Sequence, residues 1–125
     1  MDTPLILICD DAQPIAAVLS HLLQAEGCRT LVAAGALDAV SLARRSSPSL
    51  ILMDIRMPGL DGATASALMH DTTELAEVPI LLMSAMAEDE LRTLSEESGA
   101  RGYVLKPFTR QSLLETVRKH LPASA

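Results

Sequence analysis

The chain has 125 residues and a formal net charge of −6 at pH 7, a size that predicts one domain able to bury about two-thirds of its unfolded surface. The acidic balance argues against direct binding to nucleic acid or to an anionic membrane, both of which favour a basic surface. No apolar run approaches the roughly 20 residues that span a bilayer, and no basic segment precedes an apolar one at the N-terminus. We therefore expect a soluble, cytoplasmic protein.

The composition also predicts what fills the core. Hydrophobic residues make up 49% of the sequence, yet it contains one Tyr, one Phe and no Trp, which indicates an aliphatic core. Cys9 and Cys28 show no metal-binding spacing and are too few for a disulfide framework. We interpret both cysteines as small core residues, and the methionines as core filling, apart from Met57, which we place in a loop.

The first part of the chain predicts two strands, each followed by a helix. Residues 4–9 form a continuous apolar run, which is typical of a parallel strand covered on both faces. Pro14 suits the first turn of a helix because its missing N–H has no intrahelical partner there, and Gly27 suits the end of that helix. Residues 29–33 form a weaker strand. Spacings of three and four place on one face of the first helix the residues Ile15, Val18, Leu19, Leu22 and Leu23. The second helix is marked by Leu37, Val40, Leu42 and Ala43.

The second part continues the alternation. The apolar run over residues 50–53 leads into Asp54 and predicts a third strand, and a short Ala-rich helix extends from residue 63 to about 69. A polar loop over 71–74 precedes a fourth strand over 78–83. A helix over 88–98, with Leu91 and Leu94 inward, ends at Gly99, and a fifth strand covers 102–105. The last helix stops before Pro122 and directs inward the residues Leu113, Leu114, Val117 and Leu121.

Five strands that alternate with five helices through short connections predict an α/β fold with a parallel sheet covered by helices on both faces. Right-handed crossovers leave few topologies. We expect a doubly wound, flavodoxin-like (βα)5 sheet of order 2-1-3-4-5. The domain is expected to fill residues 1–125, with a core over about 4–121 and residues 122–125 as a tail or the start of a linker.

Polar side chains follow the predicted strands at one edge of this sheet. Parallel strands place their carboxyl ends together, and ligands bind there between the strands that diverge, which are strands one and three in this order. Those strands lead into Asp10, Asp11 and Asp54, while strands four and five lead into Ser84 and Lys106. The sequence therefore predicts a site at this edge.

These residue types point to phosphoryl transfer. Two carboxylates about 4 Å apart repel by on the order of 4 kcal/mol at an effective dielectric near 20, so some must protonate or a cation must join them. Oxygen ligands with room for water suit Mg²⁺. With a metal present, Lys106 and Ser84 can pair with phosphoryl oxygens while Asp54 acts as the nucleophile and forms an aspartyl phosphate.

The motifs together resemble the receiver domain of two-component response regulators, over roughly residues 4–121. The resemblance is carried by Asp10-Asp11, Asp54, Ser84-Ala85 and two longer stretches, Met57-Pro58-Gly59-Leu60-Asp61-Gly62 and Gly99-Ala100-Arg101-Gly102-Tyr103-Val104-Leu105-Lys106-Pro107. It implies that Asp54 accepts phosphate from a histidine kinase or a phosphotransfer protein. The domain would assist its own phosphorylation and dephosphorylation without being an enzyme, and would pass the signal to an effector through helix four, strand five and helix five. A homodimer that forms on phosphorylation is a further expectation.

The resemblance also implies individual residue roles. Asp11 and Asp54 would bind Mg²⁺, or Mn²⁺ in its place, directly, Asp10 would bind largely through water, and the backbone carbonyl of Arg56 would complete the protein ligands. Ser84 and Tyr103 would form a switch pair, with the hydroxyl drawn to the phosphate and the ring turning inward.

Further residues stand around this set. The Lys106–Pro107 peptide is expected to be cis. Arg56 and Met86 lie at positions where the family varies and tunes the lifetime of the phosphorylated state. We interpret Asp61 and Gly62 as a structural turn into the third helix, and one of Asp10 and Asp11 as a helix cap.

Three other functions compete with this hypothesis. A flavodoxin-like cofactor protein would need a Gly/Ser/Thr-rich loop after strand one, where Asp10 and Asp11 would repel a flavin phosphate. A phosphohydrolase with an aspartate nucleophile usually has a second acid two residues later, where this chain has Arg56. A receiver-like interaction scaffold that works without phosphorylation stays open, although the intact acids and the lysine argue against it.

Overall fold

The computed structural model describes residues 3–57 and 59–122 and contains five strands and five α-helices in alternation. The strands are β1 (Leu5–Cys9), β2 (Arg29–Ala33), β3 (Leu50–Asp54), β4 (Ile80–Ser84) and β5 (Gly102–Leu105). The helices are α1 (Gln13–Ala25), α2 (Ala36–Ser46), α3 (Gly62–His70), α4 (Glu88–Glu97) and α5 (Arg110–His120). Pro58 of the loop motif and residues 123–125 of the expected tail lie outside the described residues.

All strand pairs are parallel, and the sheet order is β2-β1-β3-β4-β5. Leu7 at the centre of β1 pairs with Leu31 of β2 on one side and with Ile51 of β3 on the other. The predicted doubly wound, flavodoxin-like topology is therefore confirmed, and the carboxyl ends of β1 and β3 lie side by side.

The sheet has a buried apolar layer on each face because alternate residues of a strand point to opposite sides. Leu7, Ile51 and Leu82 face one layer, which holds small and apolar residues of α2, α3 and α4. Ile8 and Leu52 face the other layer, which holds residues of α1 and α5. Burial on both faces explains why β1, β3 and β4 are continuous apolar runs rather than alternating ones.

The burial of three apolar side chains differs from expectation. Val18 of α1 is 52% exposed, because the buried face of this helix consists of Ala16, Leu19 and Leu23. Leu37 of α2 is 72% exposed, because this helix packs on the sheet through Ala36, Ala39 and Ala43. Met57 lies in the loop after β3 as expected, but its side chain is 8% exposed and belongs to the same core layer as residues of α3, although we excluded it from the core filling.

The connection between α3 and β4 also differs from the predicted polar loop. It contains a turn of 3-10 helix over Thr73–Leu75, and Leu75 is 1% exposed. The apolar side chain of Leu75 anchors this connection to the core. The polar residues that precede Leu75 in the sequence gave no indication of this contact. Among the described residues, the helices are too short and too polar to cross a bilayer.

Candidate functional site

The carboxyl ends of β1 and β3 bring two buried carboxylates to the same edge of the sheet. Asp10 directly follows β1, and its side chain is 0% exposed, while Asp54 is the last residue of β3 and its side chain is 10% exposed. The backbone N–H of Ala12 donates to Asp10 Oδ1 at 2.9 Å. The N-cap position of α1 is Ala12, and no side chain caps the helix there, so the interpretation of Asp10 or Asp11 as the cap of this helix is wrong.

Asp11 adds a third carboxylate to this edge. One ligand atom from each of Asp10, Asp11 and Asp54 lies within 4.8 Å of the others. Asp11 is exposed, so the cluster consists of two buried carboxylates and one that faces solvent. Such a set of oxygen donors, open to solvent on one side, fits a hard cation that retains several waters, such as Mg²⁺.

Lys106 joins the two buried carboxylates. Its Nζ donates to Asp10 Oδ2 and to Asp54 Oδ1, both at 3.0 Å, and its side chain is 17% exposed. Pairing of β5 with β4 places the lysine here, since the N–H of Lys106 donates to the carbonyl of Ser84 at 2.8 Å. The Lys106–Pro107 peptide bond is cis.

The charges of the site do not balance. Burial raises the pKa of Asp54; the hydrogen bond and charge of Lys106 oppose this shift, and the negative charges of Asp10 and Asp11 reinforce it. Burial lowers the pKa of Lys106, but Asp54 and Asp10 outweigh that effect and raise the pKa overall. The lysine therefore stays protonated, and three carboxylates share one cation, an excess of negative charge that a divalent ion would relieve.

An open cleft of about 670 Å³ borders the cluster on its exposed side, with a lining that includes Asp11, Arg56, Met57, Asp61 and Thr64. Arg56 is exposed. Asp61 is the N-cap of α3, and its side chain accepts a hydrogen bond from the N–H of Thr64 at 2.8 Å. The cleft therefore reaches the carboxylate cluster through Asp11, on the side of the loop after β3.

The chain matches the family model of the response regulator receiver domain over residues 6–118. It belongs to this family. It is 33% identical over 112 residues to Protein PilH of Pseudomonas aeruginosa, covering 90% of this chain and 93% of that protein. It is 32% identical over 117 residues to Sporulation initiation phosphotransferase F of Bacillus subtilis, covering 94% and 93%.

Solved structures agree with this receiver fold. The chemotaxis protein CheY4 of Vibrio cholerae superposes with a TM-score of 0.91 at 27% identity, covering 96% of this chain and all of that one (100%). The receiver domain of the sensor histidine kinase PA1611 of Pseudomonas aeruginosa, solved with a magnesium ion in its active-site cleft, superposes with a TM-score of 0.87 at 29% identity, covering 95% and 98%.

This receiver domain brings four of the predicted residues into one cluster, namely Asp10, Asp11, Asp54 and Lys106. Ser84 stands at the neighbouring strand end and is 4% exposed, and its Oγ accepts a hydrogen bond from the N–H of Met86 at 3.1 Å. The side chain of Tyr103 points elsewhere, since its hydroxyl donates to Glu88 Oε2 at 2.8 Å.

Sequence reasoning missed Glu88 and Arg92 as partners of Tyr103. Arg92 Nη2 donates to the hydroxyl of Tyr103 at 3.4 Å, and Arg92 also pairs with Glu88 and Asp89 on its own helix. The acids in the first turn of α4 indicate only a favourable helix start. A contact between α4 and β5 has no local signature, because it depends on how the helix lies against the sheet.

Proposed function

We propose that this receiver domain is a phosphoacceptor in a two-component phosphorelay and that Asp54 receives the phosphoryl group in the presence of Mg²⁺. The observation that carries the proposal is the Lys106 bridge between Asp10 and Asp54 within a cluster of three carboxylates. A lysine held this way is a fixed positive charge beside a nucleophile, which favours an incoming phosphoryl group.

Asp11 and Asp54 would bind the metal ion directly, Asp10 through water, and Arg56 through its backbone carbonyl. When bound, Mg²⁺ or Mn²⁺ supplies positive charge that neutralises the negative charge developing on phosphoryl oxygens. The donor set fits this ion because its ligand atoms are carboxylate oxygens on one side of the sheet edge.

The chain's own residues account for the remaining chemistry. A carboxylate oxygen of Asp54 forms a bond to phosphorus as the bond between phosphorus and the donor nitrogen of a phosphohistidine breaks, and the nitrogen keeps the electron pair. Lys106 Nζ pairs with a phosphoryl oxygen, and the hydroxyl of Ser84 donates to another. The pKa of Asp54 is raised because burial and the neighbouring acids outweigh Lys106, and a cation bound at the site would favour the ionised, nucleophilic form.

The domain acts on a partner rather than on a diffusing substrate. The donor is a sensor histidine kinase or a histidine phosphotransfer protein, and the recipient of the signal is an effector domain or protein that contacts α4, β5 and α5. Ser84 and Tyr103 form the switch between the site and that surface, and phosphorylation favours a homodimer. The domain occupies residues 1–125 and works in the cytoplasm. It assists its own phosphorylation and dephosphorylation. It does not itself bind nucleic acid or membrane.

The exposed Arg56 side chain borders the cleft beside Asp11. Together with Met86, it sets how long the phosphoryl group survives, by pairing with it or by restricting the approach of water. The competing proposal of a phosphorylation-independent scaffold predicts that the acids of the cluster are dispensable for partner binding.

Incubation with acetyl phosphate and Mg²⁺, followed by intact mass spectrometry, tests the proposal. We expect the protein to gain one phosphoryl group, and Asp54→Asn to gain none. Asp38→Asn, which changes an exposed carboxylate in the first turn of α2, is the matched control and should react like the wild type. Equal labelling of Asp54→Asn, or none of the wild type, would contradict it.

A further inference from the structure

The first turn of α4 is tied to β5 by a contact between charged and polar side chains. The hydroxyl of Tyr103 donates to Glu88 Oε2 at 2.8 Å and accepts from Arg92 Nη2 at 3.4 Å. Arg92 Nη1 lies 3.1 Å from Asp89 Oδ1, and Nη2 lies 3.7 Å from Glu88 Oε2. These residues, Glu88, Arg92 and Tyr103, form what we call the tyrosine clamp. It fixes the Tyr103 ring toward α4 while the ring packs on the core layer.

The clamp lies at one end of a very short segment whose other end is the site. Only residues 85–87 separate Ser84, the last residue of β4, from Glu88, the first residue of α4. The Oγ of Ser84 accepts from the N–H of Met86, so the hydroxyl also holds this segment. A Ser84 hydroxyl that reorients toward a phosphoryl group changes its hydrogen bond to Met86, and a segment of three residues transmits that change to Glu88.

We infer that Glu88 is a positioning residue that acts through Tyr103 to hold the segment between β4 and α4 in its unphosphorylated arrangement, and thereby weakens phosphoryl binding at Asp54. The inference rests on the proposed function. A ligand shifts an equilibrium between two arrangements only by its different affinity for them. Whatever stabilises the arrangement seen here therefore lowers the apparent affinity of a phosphoryl group for the site.

The single tyrosine of this chain allows the clamp to be observed directly. The sequence contains one Tyr and no Trp, so intrinsic tyrosine fluorescence reports on Tyr103 alone. Release of its hydroxyl from the Glu88 carboxylate changes that fluorescence. A titration with beryllofluoride in the presence of Mg²⁺, which mimics the phosphoryl group, then gives a half-saturating concentration and a change in the Tyr103 signal in the same experiment.

We expect Glu88→Gln to lower the half-saturating beryllofluoride concentration about 2- to 5-fold, the range of an exposed charged contact, and to shift the fluorescence of the free protein toward that of the bound state. Glu90→Gln is the matched control, because Glu90 is an exposed acid in the same first turn of α4. It removes the same charge from the same helix end and should leave both readouts at their wild-type values. Beryllofluoride binding to Tyr103→Phe, which lacks the hydroxyl, is followed by the fluorine resonance of the bound ligand.

Adding Glu88→Gln to Tyr103→Phe should produce no further change in half-saturation, since the clamp is already absent. Equal effects of Glu88→Gln and Glu90→Gln, or an undiminished effect of Glu88→Gln in the Tyr103→Phe background, would overturn the inference while leaving the proposed function intact. A wild-type protein that does not saturate, or that responds no better than Asp54→Asn, would instead defeat the proposed function, and the inference with it.

Discussion

Asp54 is an ionisable residue whose surroundings work against its charge. The strand that carries it is buried on both faces, and two further carboxylates lie within reach of its oxygens. Lys106 compensates only in part, so the pKa of Asp54 remains above its ordinary value. The residue most suited to act as the phosphoacceptor is therefore also a source of instability in the folded protein when no cation is present.

This imbalance predicts a pH-dependent stability difference between Asp54→Asn and the wild type in metal-free buffer. Because the folded pKa of Asp54 is raised, the folded state binds its proton more tightly than the unfolded state, so wild-type stability decreases as pH rises from the ordinary Asp value of about 4 through the folded pKa. The amide of the Asp54→Asn variant cannot titrate but still offers an oxygen to Lys106. The stability of the variant relative to the wild type should therefore increase as the pH rises from acidic to neutral. We expect this increase in the free energy of unfolding to be on the order of 1 kcal/mol.

Urea denaturation at a series of pH values, from about 3.5 to about 7.5, measures this difference across the range in which a carboxyl group with a raised pKa titrates. Asp71→Asn is the control, because it removes an exposed carboxylate that follows α3. Its stability difference from the wild type should change much less with pH. The prediction is contradicted if the stability of Asp54→Asn relative to the wild type does not depend on pH, or if it increases toward low pH. Either result would mean that the surroundings of Asp54 do not disfavour its charge.

Among the secondary-structure elements, the start of α3 sits directly on the end of β3. The N–H of Gly62 donates to the carbonyl of Ile55 at 2.9 Å, and a Cβ at Gly62 would lie 2.1 Å from the backbone oxygen of Asp54. Asp61 caps the same helix. The turn expected from Asp61 and Gly62 thus packs the helix against the backbone of Asp54 itself.

Gly62→Ala should consequently destabilise the protein and disturb the site together. Relief of the overlap requires backbone movement at Asp54, and overpacking of this kind costs about 1–3 kcal/mol or more. Denaturant unfolding measures the loss, and the rate of labelling by acetyl phosphate measures the effect on Asp54, which we expect to fall.

Gly35→Ala is the matched control for this substitution. A Cβ at Gly35 would meet nothing within 4 Å, and the residue also precedes a helix, α2, in an extended conformation. Loss of a good cap and reduced freedom of the unfolded chain act in opposite directions, so stability should change by less than about 0.5 kcal/mol. Equal effects of the two substitutions would refute the close packing of α3 on β3.

For the whole molecule, the carboxylate cluster links metal binding to folding, because its members come from strands that meet only in the native sheet. A cation that binds the folded but not the unfolded chain adds stability, by about 2.7 kcal/mol at 100 times its dissociation constant. We expect the thermal midpoint of the wild type to rise with Mg²⁺ concentration.

Asp11→Asn should largely abolish that rise while changing the metal-free midpoint little, since Asp11 is the exposed member of the cluster. Differential scanning fluorimetry with increasing MgCl₂ provides the measurement, and Asp38→Asn serves as the control for general effects of salt. A rise of the midpoint that is the same in Asp11→Asn as in the wild type would mean that Mg²⁺ does not act at this cluster.

The sequence by itself determined the elements and the edge at which the site forms. Continuous apolar runs of about five residues, separated by helical spacing, specify buried parallel strands, and each run leads into the residue at its end, such as Asp54 or Ser84. These signals are local, so they can be interpreted without knowing the neighbours. Right-handed crossovers leave few sheet orders, and the resemblance to receiver domains favours the order 2-1-3-4-5 among them.

Only the tertiary structure decided which atoms meet. The bridge from Lys106 to Asp10 joins residues 96 positions apart, and the clamp of Tyr103 by Glu88 depends on how α4 lies on β5. The exposure of Val18 and Leu37 likewise follows from which faces the helices turn to the sheet, namely Ala16, Leu19 and Leu23 in α1 and three alanines in α2. Helical periodicity cannot distinguish which neighbouring residues face the sheet, because that choice depends on the helix's rotation and depth, which the packing of the whole core fixes.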